Sequence, residues 1–283
     1  MKIFIIISPR NSMRKKPRKK QSQNFHFIGL KKYTHRERSS VIKKLVVPIL
    51  KKELGRNLIA IAACGSYARN EDSDFSDIEL MIFVKNKKNL PFGFGKILDG
   101  VLIEGCFVTE EDYYKNTLDV NKYWFISGSD RLKAITNPAF IKKVQRYKVK
   151  NLSKKCFEHS KELLFEIQES FGKLFTAIKK KNKENIFLIL AEVVMQVLKL
   201  MAFINETPYK TMGSFVTQAK NFKIKPKGFD GFIEIIINGK FVNLAILEKR
   251  SKILFAGIEE FFRSKIGENI YDSDLSTILK KKQ

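Results

Sequence analysis

Histidine, cysteine and acidic residues are scarce in this chain: three His, three Cys and 29 Asp and Glu among 283 residues, against 54 Lys and Arg. The histidines, His26, His35 and His159, are scattered, which excludes a zinc site and a Ser/His/Asp hydrolase triad. Cys64, Cys106 and Cys156 have no metal-type spacing and are odd in number. A disulfide framework is thereby excluded, a reducing compartment follows, and cytoplasmic is the default location. Only one apolar run, within IFLILAEVVMQVLKLMAFI, has the length of a membrane span. Glu192, Gln196 and Lys199 repeat along one side of it and would be costly in lipid, so it reads as a core helix and no membrane is implied. The opening MKIFIIIS is too short for a signal peptide and precedes the charge instead of following it. No internal repeat is present.

Hydrophobic residues make up 44% of the chain, the proportion of a globular protein, and the length accommodates two domains. The net charge is +25, of which residues 1–44 carry +13 and the remainder +12. Residues 1–32 thus read as a basic N-terminal extension, a solvated arm or a contact for nucleic acid. Beyond it the pattern predicts one domain over 33–150, a helical bundle over 151–275 and a charged tail over 276–283.

What is present is concentrated in ACGSYARNEDSDFSDIELMIFV, residues 63–84. A short apolar strand over 59–63 is broken by Gly65 and Ser66, which turn the chain into a helical turn ending at Arg69. The backbone amides and the Ser66 hydroxyl of such a turn face an anion. A second strand is predicted over 76–84, where Asp77 and Glu79, two apart, share a face. Alone, such a pair is what a solvated strand edge carries. Behind a Gly-Ser turn it is half of a Mg2+ site, because Mg2+ takes one or two carboxylates and completes its shell with water and phosphate.

Gly65, Ser66, Ala68, Arg69, Ser76, Asp77 and Glu79 resemble the signature of the polymerase-beta-type nucleotidyltransferases: Gly-Ser, a small residue, Arg, then Ser-Asp-x-Asp or Ser-Asp-x-Glu. The resemblance implies a third carboxylate on the neighbouring strand. VLIEGCFV, residues 101–108, supplies Glu104 among apolar residues, where a buried unpaired acid would be costly and invites a functional reading, the alternative being an acid on an open face of the sheet. Thr109 reads as a helix cap with Asp112 at the third position, and Glu110 and Glu111 go to capping and solvation.

Apolar periodicity predicts further helices over 151–181, 184–205, 211–220, 229–238 and 243–266. On the first, Glu162, Glu166, Glu169 and Lys173 form one polar stripe, in which Glu169 and Lys173 are an i,i+4 pair. With these helices, the stretch from Tyr33 to Asp274 is similar to the kanamycin (aminoglycoside) nucleotidyltransferases. The similarity rests on Ser76-Asp77-Ile78-Glu79, on Ile103-Glu104 with Phe107 and Glu110-Glu111, on Glu169 three before Gly172-Lys173, and on the order of the C-terminal helices.

That resemblance implies an α+β fold: a small mixed nucleotidyltransferase sheet with flanking helices, followed by a helical bundle. It implies Mg2+ on Asp77 and Glu79, nucleotide phosphates held by Gly65, Ser66, Arg69 and Lys173, and Glu169 or Glu104 as the base that takes the acceptor proton. The implied reaction moves a nucleoside monophosphate, AMP from ATP, to the hydroxyl of a small molecule, with release of pyrophosphate. It also implies a homodimer in which one subunit's helical domain completes the other's site. Two departures bear on the acceptor. Aminoglycosides are polycations, whereas this chain has a pI near 9.9, and PFGFGK, residues 91–96, lacks the acid that the family carries before the Glu104 strand. The positive charge leaves two alternatives open: a tRNA end or protein hydroxyl as acceptor, and a non-catalytic nucleotide- or nucleic-acid-binding module.

Overall fold

The computed structural model describes residues 27–128, 131–267 and 270–271. Most of the basic extension and the charged tail lie outside the described residues. The chain enters through α1 (His35–Val41), whose capping box pairs Thr34 with Glu37. A π-helical stretch leads from it into α2 (Val47–Leu54). Then come β1 (Leu58–Ala63), α3 (Gly65–Arg69), β2 (Ile78–Val84), β3 (Gly93–Leu98) and β4 (Val101–Val108). After them come α4 (Glu110–Asp112), α5 (Trp124–Ser127), β5 (Lys133–Ala134) and α6 (Pro138–Val144). The rest is helical: α7 (Leu152–Lys179), α8 (Ile186–Ile204), α9 (Phe215–Lys220), α10 (Phe229–Ile237) and α11 (Leu244–Ile266). This is an α+β architecture, a mixed sheet with flanking helices followed by a helical region.

The five strands lie in the order β3-β4-β2-β1-β5, and β2 with β4 is the parallel pair. Alternation along each strand divides the side chains between two cores. Ile78, Leu80, Ile82, Val101 and Ile103 join Ile42, Val47 and Leu50 from the N-terminal helices on one face. Ala60, Ala62, Met81 and Phe83 meet Tyr113, Ile141 and Val144 on the other. A third and larger core joins α7, α8, α10 and α11, with Trp124 and Phe125 packed into it.

Several expectations about local structure shift. β2 begins at Ile78, so Ser76 and Asp77 precede the strand instead of opening it. β3 escapes an apolar-pattern reading because Gly93 and Gly95 interrupt it. A side chain at Gly93 would collide with the Gly105 carbonyl, so the glycine that hides the strand is what lets it pair. α8 has its apolar residues Val193, Val197, Leu200 and Met201 fully buried in the helical core.

Candidate active site

β1 ends at Ala63, and Cys64 donates its amide to the Glu79 carbonyl at 3.0 Å, which ties the coming turn to β2. Gly65 then takes φ +62 and opens α3. A Cβ at this position would overlap the Glu79 carboxylate, so glycine is required twice, by the backbone and by the neighbour. The Gly-Ser turn and the second acid of the Asp-x-Glu pair are therefore in contact. The first amides of α3 have no partner within the helix.

Parallel pairing sets Glu79 directly opposite Glu104, and both project to the face that carries Met81 and Cys106. They line one cleft of about 530 Å³ together with Cys64, Cys106 and the glycines of β3 and β4. Glu104 is exposed there, between buried Ile103 and Gly105. The expectation of an acid embedded among apolar residues is thus corrected: the flanking residues turn to the opposite core, and Glu104 faces open space within 3.8 Å of where a Gly95 side chain would begin. Burial pushes the Cys106 thiol up, and the charges of Glu104 and Glu79 push it further in the same direction. Cys106 therefore registers both carboxylates in one field.

Asp77 is half-buried and makes no hydrogen bond or ion pair with the described residues. The loop that delivers it is held from an unexpected quarter. Arg38 of α1 is 1% exposed and uses its whole guanidinium: Nε donates to Ser76 O, Nη1 to Tyr33 O and Asp72 Oδ2, and Nη2 to Ser73 O and Asp74 O, all at 2.7–3.0 Å. Three of the four carbonyls of residues 73–76, just before Asp77, are thereby clamped by one planar fork. Asp72 Oδ1 lies 2.6 Å from His35 Nδ1, His35 Nε2 lies 3.2 Å from Lys133 Nζ, and Lys133 donates to Asn70 at the end of α3. His35 also stacks on Tyr67 at 4.4 Å. Burial raises the Asp72 pKa, but the bond and charge of His35, with Arg38 behind them, hold it below the ordinary value. Arg38 and His35 carry no local motif, since Asp72, the side chain they share, lies more than 30 residues away.

Other assigned residues are engaged elsewhere. Arg69 Nε pairs with Glu71 at 2.8 Å. Glu169 on α7 pairs with Lys173 at 3.0 Å, and Lys173 also lies 3.5 Å from Glu192 of α8. The cleft of Glu79 and Glu104 is lined by the sheet and Cys64, with no residue of α7. Glu162 and Glu166 line a different cleft with His159, Lys199 and Phe203. Among the described residues no three His, Cys, Asp or Glu side chains converge as a ready metal cage. Glu79 and Glu104, hard oxygen donors side by side in an open cleft, fit a Mg2+ ion that draws its remaining ligands from water and phosphate.

The site is thus a mixed sheet whose Gly-Ser turn touches one of two carboxylates in register, followed in the chain by a helical region. Residues 139–267 match the KNTase C-terminal domain, where KNTase is kanamycin nucleotidyltransferase. Among solved structures, the chain is similar to a nucleotidyltransferase-like protein from Exiguobacterium sibiricum 255-15. The two share 12% identity over 81% of this chain and 78% of that one, with a TM-score of 0.47. No curated protein matches in sequence.

Proposed function

We propose that the protein is a Mg2+-dependent nucleotidyltransferase that moves a nucleoside monophosphate, AMP from ATP, to a hydroxyl and releases pyrophosphate. The observation that carries this reading is the contact between the Gly65 turn and the Glu79 carboxylate, which sets a phosphate grip against a metal grip. When bound, Mg2+ supplies charge neutralisation at the triphosphate. Asp77 and Glu79 hold it, with Glu104 beside them. Ser66 and the amides of α3 receive phosphate oxygens, and Arg69 joins them by leaving Glu71. Glu104, facing the open side of the cleft, or Glu169 takes the proton of the attacking hydroxyl. The nucleotide substrate fits a cytoplasmic setting.

Glu169 and Lys173 enter this scheme from a second subunit, which is the reason to propose a homodimer: within one chain the cleft lacks them. The acceptor is a small hydroxyl-bearing molecule, and aminoglycosides are the first to test. The net charge of +25 favours a second reading, in which the hydroxyl belongs to a tRNA end or a protein.

Incubation with Mg·ATP and an aminoglycoside panel, followed by mass spectrometry, tests the first version. A product heavier by one AMP supports it, and absence of both product and pyrophosphate refutes it. Asp77→Asn abolishes nucleotide-dependent thermal stabilisation if the metal assignment holds; unchanged stabilisation refutes the assignment.

A further inference from the structure

The most lopsided charge in the described body falls about a hundred residues after the basic extension in sequence. Between residues 131 and 157 there are nine Lys and Arg and no Asp or Glu. Lys143 and Lys155 are paired with Glu110 and Asp119, and Lys133 is held within the His35 network. Arg131, Lys142, Arg146, Lys148, Lys150 and Lys154 are exposed and form no ion pair among the described residues. Their concentration on one segment gives a local field that random surface charge does not.

Two further features give this segment a direction and a shape. Ile141 and Val144 seat α6 on the sheet face that carries Glu79 and Glu104, and the Asn137 amide anchors the helix start to Ile59 O at 3.0 Å. Beside α6 opens a cleft of about 610 Å³, whose walls include Arg131, Lys148, Tyr147 and Trp124. Tyr147 already stacks on Tyr114, with ring centroids 4.6 Å apart, and is half-buried. Glu206, the one acid of the cleft wall among the described residues, accepts a hydrogen bond from Ser153.

We propose that Arg131 and the α6–α7 segment form a docking surface for single-stranded RNA, with phosphates along Lys142, Arg146, Lys148 and Lys150 and a base against Tyr147. Unpaired cations beside an accessible ring are what an unstacked strand recognises, whereas a duplex hides its base faces and an acidic protein has none. The surface starts from α6, which packs on the same sheet face as the carboxylate cleft. An RNA end carries free hydroxyls, so this surface, resting on the transferase reading for its purpose, favours RNA as the acceptor.

The test is anisotropy of a labelled 12-nucleotide single-stranded RNA with the full chain, without Mg2+ or nucleotide, across a salt series. Lys142→Ala/Arg146→Ala/Lys148→Ala/Lys150→Ala weakens binding at least about tenfold and flattens the salt slope by about two to three. Lys179→Ala/Lys180→Ala/Lys183→Ala/Lys240→Ala, which removes the same charge from the end of the α7–α8 pair opposite the α6–α7 segment, changes binding less than about twofold. Tyr147→Ala loses affinity where Tyr147→Phe keeps it. Equal losses in the two quadruple variants overturn the proposal, as does equal competition by duplex RNA or by an oligoglutamate peptide. Glu79→Gln keeps RNA binding, so a failure of the transferase reading shows separately, as absent Mg·ATP binding with the RNA surface intact.

Discussion

In the sheet region polar side chains converge from separate elements: Arg38 from α1, Asp72 from a loop, Lys133 from β5, Glu79 and Glu104 from neighbouring strands. In the helical region charged groups pair along one helix or across two, as Glu169, Lys173 and Glu192 do, and the interior is apolar save for small hydroxyls such as Ser160, Ser170 and Ser251. Convergence concentrates charge that folding alone does not require, and it marks where binding energy is stored for a ligand. Pairing on a surface neutralises charge at little gain. The helical region is thus chiefly a packed body, and the sheet a charged instrument.

The sharpest way to break that contrast is to remove the clamp. Arg38→Met leaves buried Asp72 with His35 alone and frees the carbonyls of Ser73, Asp74 and Ser76, at a cost of about 3–5 kcal/mol in stability. Chemical denaturation measures this, and hydrogen exchange over residues 70–76 shows where the loss falls. Because the folded-state pKa of Asp72 lies below its ordinary value of 3.8, its stabilisation is complete above that pH and is lost as the pH falls through the folded value. Asp72→Asn removes this limb of the acid-unfolding curve. If Arg38→Met costs no more than an exposed substitution, the network is ornamental and the contrast fails.

Next in size is Glu79→Gln. Loss of one carboxylate from the cleft lowers transfer by about 10²–10³-fold, the scale of a lost electrostatic contact in an active site, and leaves the melting curve near that of the parent. A parallel fall in stability would make Glu79 a structural residue.

Cys106 offers a smaller and gentler probe of the same cleft. Its thiol is held up by burial and then by Glu104 and Glu79, so alkylation near pH 8 is slow. Glu104→Gln removes part of that field and speeds alkylation by about two- to fivefold, since each unit of pKa is tenfold in thiolate. Mg·ATP protects the thiol in the parent chain. An unchanged rate in Glu104→Gln would place the Glu104 carboxylate away from Cys106.

The two regions also differ in how much of them the sequence discloses. The Gly-Ser turn, Glu79, the Thr109 capping box and the long helices are local: each depends on residues within about one turn or one strand pair, and their spacing exposes them. Asp77 falls just outside β2 because the Ser76 carbonyl is committed to Arg38, a contact across 38 residues that no period reveals. β3 is masked by the glycines that its close pairing needs. The exposure of Glu104 follows from which core each face of β4 meets, and that is settled by topology, not by the apolar run around it.

The smallest effect distinguishes a surface pair from a borrowed catalytic group. Glu169 and Lys173 are both largely solvent-facing, so Lys173→Met costs only a few tenths of a kcal/mol in stability. If they are nonetheless catalytic through a partner subunit, Glu169→Gln and Glu79→Gln are each inactive alone, because each homodimer lacks the same half of both sites. Mixing the two variants forms heterodimers with one intact site, restoring about a quarter of the parent activity at random pairing. No restoration, with full activity in Glu169→Gln, assigns the proton transfer to Glu104 and leaves Glu169 to the surface. No restoration with both variants dead confines the site to a single chain, with α7 swinging toward the sheet. The mixing experiment therefore tests whether the division of labour between sheet and helices lies within one molecule or between two.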